Sequence, residues 1–396
     1  MNNREKTMKY MRSIFNITLT FTLAIQLCAC TSIGSACNKQ SAPLPPGGKK
    51  LKVGYFVGQG SRSNGVYFWA QLLFYSPQLE VTLLEAQDIR DGKLKELDLL
   101  LIPGGSSELQ VKDLQDSGKA AIQEFVRNGG SYIGICAGFH CTLNRKERLE
   151  LMPFEYCRGA GGAQAVLPVE ISKRGAEIMN IRPGRYNVRY SLGPISKPGK
   201  DWEHGKGEIL GVYKGTVSPK GRPGGNFFNA PAVIYGNYGK GKIIATSFHP
   251  ESHITNHDLA MGCFYAVEGF KPTPQFPKKN FHPLRVAFYT ASTLGKEPVK
   301  RMLELNSHPE IDVVLVTSGE FSEGMLNHVD ALVIPDAIDE KNISLAKNWD
   351  VIINPFLDRG GKLFVSGAEA KAFGKHRNIT EIPAGESFVP AVLDLK

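Results

Sequence analysis

The sequence lacks the cysteine patterns that indicate a metal site. Its seven cysteines stand at positions 28, 30, 37, 136, 141, 157 and 263, and no two of them form a CxxC motif. The last four have no histidine at the spacing that zinc ligands show. We therefore expect neither a metal ion nor another cofactor. The sequence leaves open whether Cys141 and Cys157 form a disulfide bond.

The chain also lacks a concentrated block of basic residues. Its 47 Lys and Arg side chains outnumber the 38 acidic ones, and the formal net charge is +9. This excess is spread along the chain without interleaved aromatic residues, which is not the pattern of a specific nucleic-acid interface. We expect no nucleic-acid partner, and at most a weak attraction to anionic lipid headgroups.

The apolar run at residues 14–27 is too short and too interrupted to span a bilayer comfortably. It follows a basic segment and has the length of a signal-peptide core. The run ends in Leu27-Cys28-Ala29-Cys30, which resembles a bacterial lipobox. Cys30 fits the lipidated position, whereas Cys28 would place the bulky Leu27 before the cleavage site. The alternatives are an ordinary cleaved signal peptide and an uncleaved anchor.

We therefore predict a lipoprotein signal peptide at residues 1–29 and a flexible tether at residues 30–50, which are rich in Ser, Gly, Pro and Lys. Lipidation at Cys30 would anchor the protein to a membrane of the cell envelope, most simply facing the periplasm. The lipid is then the expected contact with the membrane.

The remaining chain reads as alternating strands and helices. Its 396 residues suggest two domains. Residues 51–57, 81–84, 97–102 and 131–135 have the buried character of parallel strands, and residues 66–75 and 116–128 have helical patterns. We predict a doubly wound, mostly parallel, flavodoxin-like α/β sheet. Residues 157–230, with many glycines and short strands, are predicted to be a β-rich insertion.

One stretch, Gly129 to Phe139, carries the first chemical signal. A buried strand breaks at Cys136, and Gly134 and Gly138 flank that cysteine at the spacing of a nucleophile elbow. A nucleophile on such a sharp turn tolerates no bulky neighbours two residues away. The N–H of Ala137 would point toward an oxyanion formed there. The alternative is a buried structural cysteine after a glycine-rich strand.

Two further segments complete a catalytic set. Pro103-Gly104-Gly105-Ser106 follows a parallel strand, where glycines let backbone N–H groups face a ligand, so Gly105 is the second oxyanion donor. His249-Pro250-Glu251 follows another strand, and the spacing of two lets a carboxylate orient the imidazole. His140 and Cys141 follow the elbow by one helical turn and could line the pocket, although a histidine there is more often a structural residue.

Together these motifs resemble the class I glutamine amidotransferase-like superfamily, over residues 51 to about 265. The variant they resemble most is the amidotransferase-like domain at the N-terminus of eukaryotic biotin–protein ligases. The shared features are Cys-Ala-Gly, a Tyr- and Arg-rich segment ending in Gly193-Pro194, and Asn229-Ala-Pro-Ala-Val. A biotin-ligase catalytic segment is not recognised, so the resemblance does not imply biotin ligation.

The resemblance implies a role for each matching residue. Cys136 would be the nucleophile, His249 the base and Glu251 its orienting carboxylate, with Gly105 and Ala137 as oxyanion donors. The residues implied in substrate binding are Gly104, Ser106, Phe139, Arg189 and Tyr190. The expected substrate is a small-molecule or peptide amide. The alternative is a binding protein that keeps the fold without the reaction.

The C-terminal part repeats the first half. Four segments that begin at residues 284, 312, 330 and 360 match those at 51, 80, 98 and 129, at a nearly constant spacing of 231–233 residues. The copy has Gly367 where the first half has Cys136, so we predict a degenerate α/β domain at residues 283–396. Residues 266–282 are the predicted linker. An envelope protein could be a partner of this second domain.

Overall fold

A computed structural model gives the fold. It describes residues 45, 47–62, 64–157, 164–199, 207–217, 227–252, 257–290, 295–317, 324–335, 353–366, 377–383 and 385–396. The predicted signal peptide, Cys30 and most of the tether lie outside these residues. Residues 42–396 form one compact unit. No helix in the described ranges is long and apolar enough to cross a membrane.

The first half forms a sheet of nine strands. The order across this sheet is β2-β1-β3-β4-β11-β10-β9-β6-β7. Its strands are β1 (Leu51–Phe56), β2 (Leu79–Leu84), β3 (Leu99–Ile102), β4 (Ser131–Ile135), β6 (Gln164–Ile171), β7 (Gly184–Ser191), β9 (Gly207–Tyr213), β10 (Pro231–Tyr238) and β11 (Gly241–Thr246). Two short strands, β5 (Phe154–Cys157) and β8 (Ile195–Pro198), pair separately.

The predicted mostly parallel sheet is wrong in its proportions, because the sheet is mixed. The pairings from β2 to β11 are parallel, and those from β11 to β7 are antiparallel. Residues predicted as a separate β-rich insertion instead extend the main sheet through β6, β7 and β9. The burial patterns agree with this arrangement: every residue of β3 and β4 is buried, whereas β7 alternates between less exposed and more exposed residues and buries only two of its eight.

Helices accompany this sheet in the described residues. They are α1 (Asn64–Phe74), α2 (Ala86–Arg90), α3 (Ser107–Arg127), α4 (Ala137–Thr142), α5 (Lys173–Met179) and α6 (His257–Glu268). Helix α3 begins nine residues before its predicted start, because the Ser106 hydroxyl accepts a hydrogen bond from the N–H of Leu109. A non-helical residue, Gln115, interrupts it. The prediction therefore identified only its second half.

The second half forms a sheet of five parallel strands in the order β13-β12-β14-β15-β16. These are β12 (Leu284–Tyr289), β13 (Ile311–Val316), β14 (Ala331–Ile334), β15 (Lys362–Ser366) and β16 (Ile379–Ile382). Helices α7 (Lys296–Ser307) and α8 (Val389–Leu393) accompany them. The order matches β2-β1-β3-β4-β11, so the predicted repeat has the same topology as the parallel half of the first sheet.

The register of the two sheets also agrees. Leu51 pairs with Leu79 in the first sheet, and Leu284 pairs with Ile311 at the matching place in the second. Before each third strand an aspartate accepts a hydrogen bond from the backbone of the first strand: Lys52 N–H to Asp98 at 2.9 Å, and Arg285 N–H to Asp330 at 2.7 Å. The repeat therefore extends to individual hydrogen bonds.

This equivalence predicts matched losses of stability. Asp98→Ala and Asp330→Ala should each lower the free energy of unfolding by about 1 kcal/mol, because each removes the acceptor of one backbone N–H. Asp312→Ala is the control, since its ion pair with Arg285 is exposed and 4.0 Å long and should contribute little. Urea unfolding measures all three. Equal midpoints for the two aspartate variants and the control would contradict the equivalence.

Candidate functional site

Cys136 lies on the sharp turn between β4 and α4. Its backbone has φ 51° and ψ −96°, a conformation that residues with a side chain rarely adopt. The N–H of Cys136 donates to the carbonyl oxygen of Thr246 on β11 at 2.8 Å. This bond and the following helix hold the turn in place, and the side chain is 5% exposed.

The two flanking glycines leave room for this turn. A Cβ atom at Gly134 would lie 2.6 Å from the carbonyl oxygen of Gly138, and one at Gly138 would collide with the carbonyl oxygen of Ile102. Either methyl group would push the turn away from the neighbouring strand. The crowding predicted from the glycine spacing is therefore present in the structure.

His249 and Glu251 lie beside Cys136, just past the end of β11. The His249 Nδ1 atom is 2.8 Å from the Glu251 Oε1 atom, and both side chains are buried. The N–H of His249 donates to the Arg189 carbonyl oxygen at 3.0 Å, which ties this segment to β7. A Cβ atom at Gly104 would lie 2.6 Å from His249 Cε1 and 3.4 Å from Cys136 Cβ. The imidazole and the cysteine thus meet over Gly104.

The surroundings favour a protonated His249. Burial alone would lower the pKa of His249, but the charges of Glu251 and Cys136 and hydrogen bonds with both raise this pKa to about 10. An imidazolium at neutral pH stabilises a neighbouring thiolate, which is the reactive form of cysteine. Glu251 fixes the imidazole by its bond to Nδ1, leaving Nε2 for Cys136.

The two predicted oxyanion donors, Gly105 and Ala137, both line a cavity that opens at Cys136. Gly105 has φ 142°, and a Cβ atom there would collide with the carbonyl oxygen of Gly60. The adjoining backbone bonds run from Ser106 to Gly60 at 2.8 Å and from Arg62 to Gly104 at 3.2 Å, so the Gly105 N–H makes neither. Ala137 is the first residue of α4, where an N–H has no acceptor within the helix.

A cavity of about 330 Å³ opens beside Cys136. Of the predicted site residues, it is lined by Gly105, Ser106, Cys136, Ala137 and Tyr190. Burial raises the pKa of Tyr190, and its hydroxyl donates to the Gly193 carbonyl oxygen at 2.7 Å.

The structure does not bring two of the predicted substrate-binding side chains to this cavity. Phe139 is fully buried in the core beneath α4. Arg189 precedes Tyr190 on β7, and successive side chains of a strand point to opposite faces. Arg189 instead takes part through its main chain, which accepts the bond from His249.

The cavity wall also includes His140, Ser107, Arg148 and Tyr156. The sequence analysis considered the first of these and did not select the other three. His140 Nδ1 is 2.8 Å from the Ser107 hydroxyl, and the His140 ring stacks on Tyr156 with the ring centres 4.7 Å apart. The position of His140 four residues after Cys136 is the one sequence signal for this wall. Arg148 and Tyr156 come from loops and short strands that only the tertiary structure brings here.

None of the other described cysteines lines the cavity. Cys136, Cys141, Cys157 and Cys263 are all free thiols, so Cys141 and Cys157 are not joined. Cys141 is fully buried and lies 3.6 Å from the Gln110 side chain, away from the cavity wall. Within the described part of the chain, no group of three or more His, Cys, Asp or Glu side chains is arranged to hold a metal ion.

Residues 53–147 match the family described as "Biotin-protein ligase, N terminal". The chain is 25% identical over 171 residues to a biotin–protein ligase of Schizosaccharomyces pombe, covering 39% of this chain and 25% of the ligase. It is 38% identical over 78 residues to an uncharacterised protein of Chlamydia muridarum, covering 19% and 30%. The chain thus spans less than a third of each relative.

Solved structures align over a little more than half of the chain. PurLQS from Thermotoga maritima aligns at 14% identity with a TM-score of 0.40, covering 55% of this chain and 97% of that one. A ThuA-like protein from Parabacteroides merdae aligns at 14% identity with a TM-score of 0.38, covering 58% and 94%. A β-galactosidase from Bacillus circulans sp. alkalophilus gives 13% identity and a TM-score of 0.38, covering 58% and 33%.

The His140 wall predicts a specific acid sensitivity. Burial, with the nearby charges of Arg148 and Arg145, lowers the pKa of His140 to about 4. The unfolded chain, with an ordinary histidine pKa near ~6.5, binds this proton first, so stability should fall as the pH drops from about 6.5 toward 4. His140→Gln should flatten that part of the curve in urea unfolding. An unchanged pH dependence would contradict the assignment.

Proposed function

We propose that the protein is a cysteine-dependent amide hydrolase or acyl transferase. The observation that carries the proposal is the convergence of Cys136 with the buried His249–Glu251 pair, whose nitrogen and oxygen are 2.8 Å apart. A nucleophile, a base and an orienting carboxylate are the parts that thiol acyl transfer requires. Matches to biotin–protein ligase support the domain and not ligation, because the family that matches is described as the N-terminal part.

The reaction follows from these positions. The Cys136 thiolate attacks the carbonyl carbon of an amide, and the negative oxygen is held by the N–H groups of Gly105 and Ala137. The C–N bond breaks as the His249 imidazolium gives its proton to the leaving amine. Water then attacks the thioester while neutral His249 takes a proton from it. The carboxylic acid leaves and the thiolate is restored.

The cavity suggests the kind of amide that fits. It has room for a small molecule or for one side chain of a peptide, and Leu192, which is 54% exposed, stands at its edge. The stacked His140 and Tyr156 rings provide a flat wall and Arg148 a positive charge. A small-molecule or peptide amide is therefore the proposed substrate class.

The test is the alkylation rate of Cys136. In His249→Ala, iodoacetamide should modify Cys136 about tenfold more slowly at pH 7, because the imidazolium that favours the thiolate is gone. Peptide mass spectrometry follows each thiol separately, and the partly exposed Cys157 serves as the internal reference. Glu251→Gln should give a smaller decrease. Equal rates in wild type and His249→Ala would leave a binding protein as the better account.

We propose in addition that Cys30 carries a lipid and anchors the protein to a membrane of the cell envelope. Support comes from the sequence alone, where Ala29 precedes Cys30 after a basic and apolar segment.

In the native host, Cys30→Ser should abolish incorporation of labelled palmitate and release the protein from the membrane fraction. Cys28→Ser is the matched control and should keep both the label and the membrane association. If Cys28→Ser alone loses the label, the lipidated residue is Cys28. If neither the wild type nor Cys28→Ser is labelled, the lipid anchor is contradicted.

A further inference from the structure

The second sheet touches the first at the edge where Cys136, His249 and Glu251 lie. We propose that the second sheet is a positioning element of this site: Thr290, acting through Asn64 and the first turn of α1, holds the Glu251 carboxylate against His249. This inference rests on the proposed function for its catalytic meaning, while the contacts themselves are independent of it.

The first turn of α1 contacts Glu251. Gly65 is the second residue of α1, and a Cβ atom there would collide with Glu251 Oε1 and lie 3.4 Å from His249 Nδ1. The backbone of the first turn is therefore the wall on which the carboxylate rests. Glu251 is 1% exposed, and its second oxygen has no hydrogen-bond partner among the described residues. Its place consequently depends on this wall and on the single bond to His249.

The same turn of α1 is in hydrogen-bonding contact with Thr290, at the end of β12 in the second sheet. The Thr290 hydroxyl is in hydrogen-bonding contact with the Asn64 side-chain amide and lies 3.0 Å from the Val316 carbonyl oxygen. A hydroxyl has one proton, and an asparagine amide can present either its oxygen or its nitrogen, so both contacts are satisfied together. Asn64 and Thr290 are both buried, so water does not replace this bond.

The Thr290 hydroxyl has no counterpart at the equivalent position of the first sheet. Thr290 follows β12 as Val57 follows β1, and the two make equivalent backbone bonds: Thr290 N–H to Val316 O at 2.9 Å, and Val57 N–H to Leu84 O at 2.8 Å. The first copy thus has an aliphatic side chain where the second has the hydroxyl that reaches Asn64. The copy that has lost the cysteine supplies this bond instead.

Other contacts fix the two copies at the same edge. The N–H of Gly295 donates to the Val57 carbonyl oxygen at 2.9 Å. The rings of Tyr67 on α1 and Phe288 on β12 meet edge to face with centres 5.5 Å apart. These contacts leave α1 little freedom to shift relative to β12. A change at Thr290 should therefore displace the backbone at Gly65.

The experiment compares three variants of the full chain. Thr290→Val removes the hydroxyl with little change of shape, and Thr290→Ser restores it. Gln71→Leu is the matched control, because Gln71 lies on the same helix and contacts Met302 of α7 at 3.5 Å, two turns away from Asn64. The readouts are Cys136 alkylation at pH 7, the His249 imidazole resonance in NMR spectra, and urea unfolding.

Thr290→Val should slow Cys136 alkylation about fivefold, because small displacements of a catalytic group reduce rates strongly, and it should shift the His249 resonance. Thr290→Ser should restore both. Gln71→Leu should lower stability without either effect. In a His249→Ala background, Thr290→Val should cause no further slowing, because the hydroxyl acts through the pair that is already lost.

Two results would overturn the inference. One is an unchanged His249 resonance in Thr290→Val, and the other is an effect of Gln71→Leu as large as that of Thr290→Val. The proposed function fails separately, if His249→Ala alkylates as fast as wild type. In that case the resonance shift still decides whether the second sheet positions the pair.

Discussion

The positive-φ backbone conformation of Cys136 is the constraint on which the geometry of the site depends. Its positive φ places the thiol above the end of β4, and it persists only because Gly134 and Gly138 leave room for the turn. The bond from Cys136 N–H to Thr246 then ties the turn to β11. Since β11 leads directly to His249, one local constraint positions both Cys136 and His249.

The second dependence is electrostatic. Glu251 is a buried carboxylate whose charge keeps His249 protonated despite the burial of both groups. A buried carboxylate without a positive partner would be costly. The cost of burying the Glu251 carboxylate is therefore offset only when the His249 imidazole is charged. A charged imidazole beside a cysteine is also what thiol chemistry needs, so one arrangement serves stability and reactivity.

The two sheets of the repeat contribute differently to the surroundings of Cys136. Two parallel sheets share strand order, register and the Asp98 and Asp330 hydrogen bonds. Within the described ranges, the first sheet alone extends into antiparallel strands, which are β10, β9, β6 and β7. The cavity includes Tyr190 from this extension. Helix α1, also of the first half, borders Glu251 and packs on the second sheet. The first copy thus forms the walls of the site, and the second copy contacts one of them from outside.

Much of this could be predicted from the sequence, and the reasons for success and failure are physical. The elbow at Cys136 and the His249–Glu251 step are local patterns with fixed spacing, so their geometry was foreseeable. The repeat was detectable because strands of parallel sheets keep their hydrophobic character. The extension of the main sheet by β6, β7 and β9 was not foreseen, because sequence patterns identify a strand without identifying the strand with which it pairs. Phe139 was misjudged because a six-residue helix does not reveal which face meets the core.

The proposed catalytic role of Cys136 is tested most directly by trapping an acyl form of this residue. The wild-type chain would be mixed with an activated acyl ester, quenched at increasing times and mapped by peptide mass spectrometry. The account predicts a thioester on Cys136 that forms rapidly and then disappears through hydrolysis, and that forms slowly and persists in His249→Ala. Acylation that is absent from Cys136, or that occurs equally at Cys157, would contradict it.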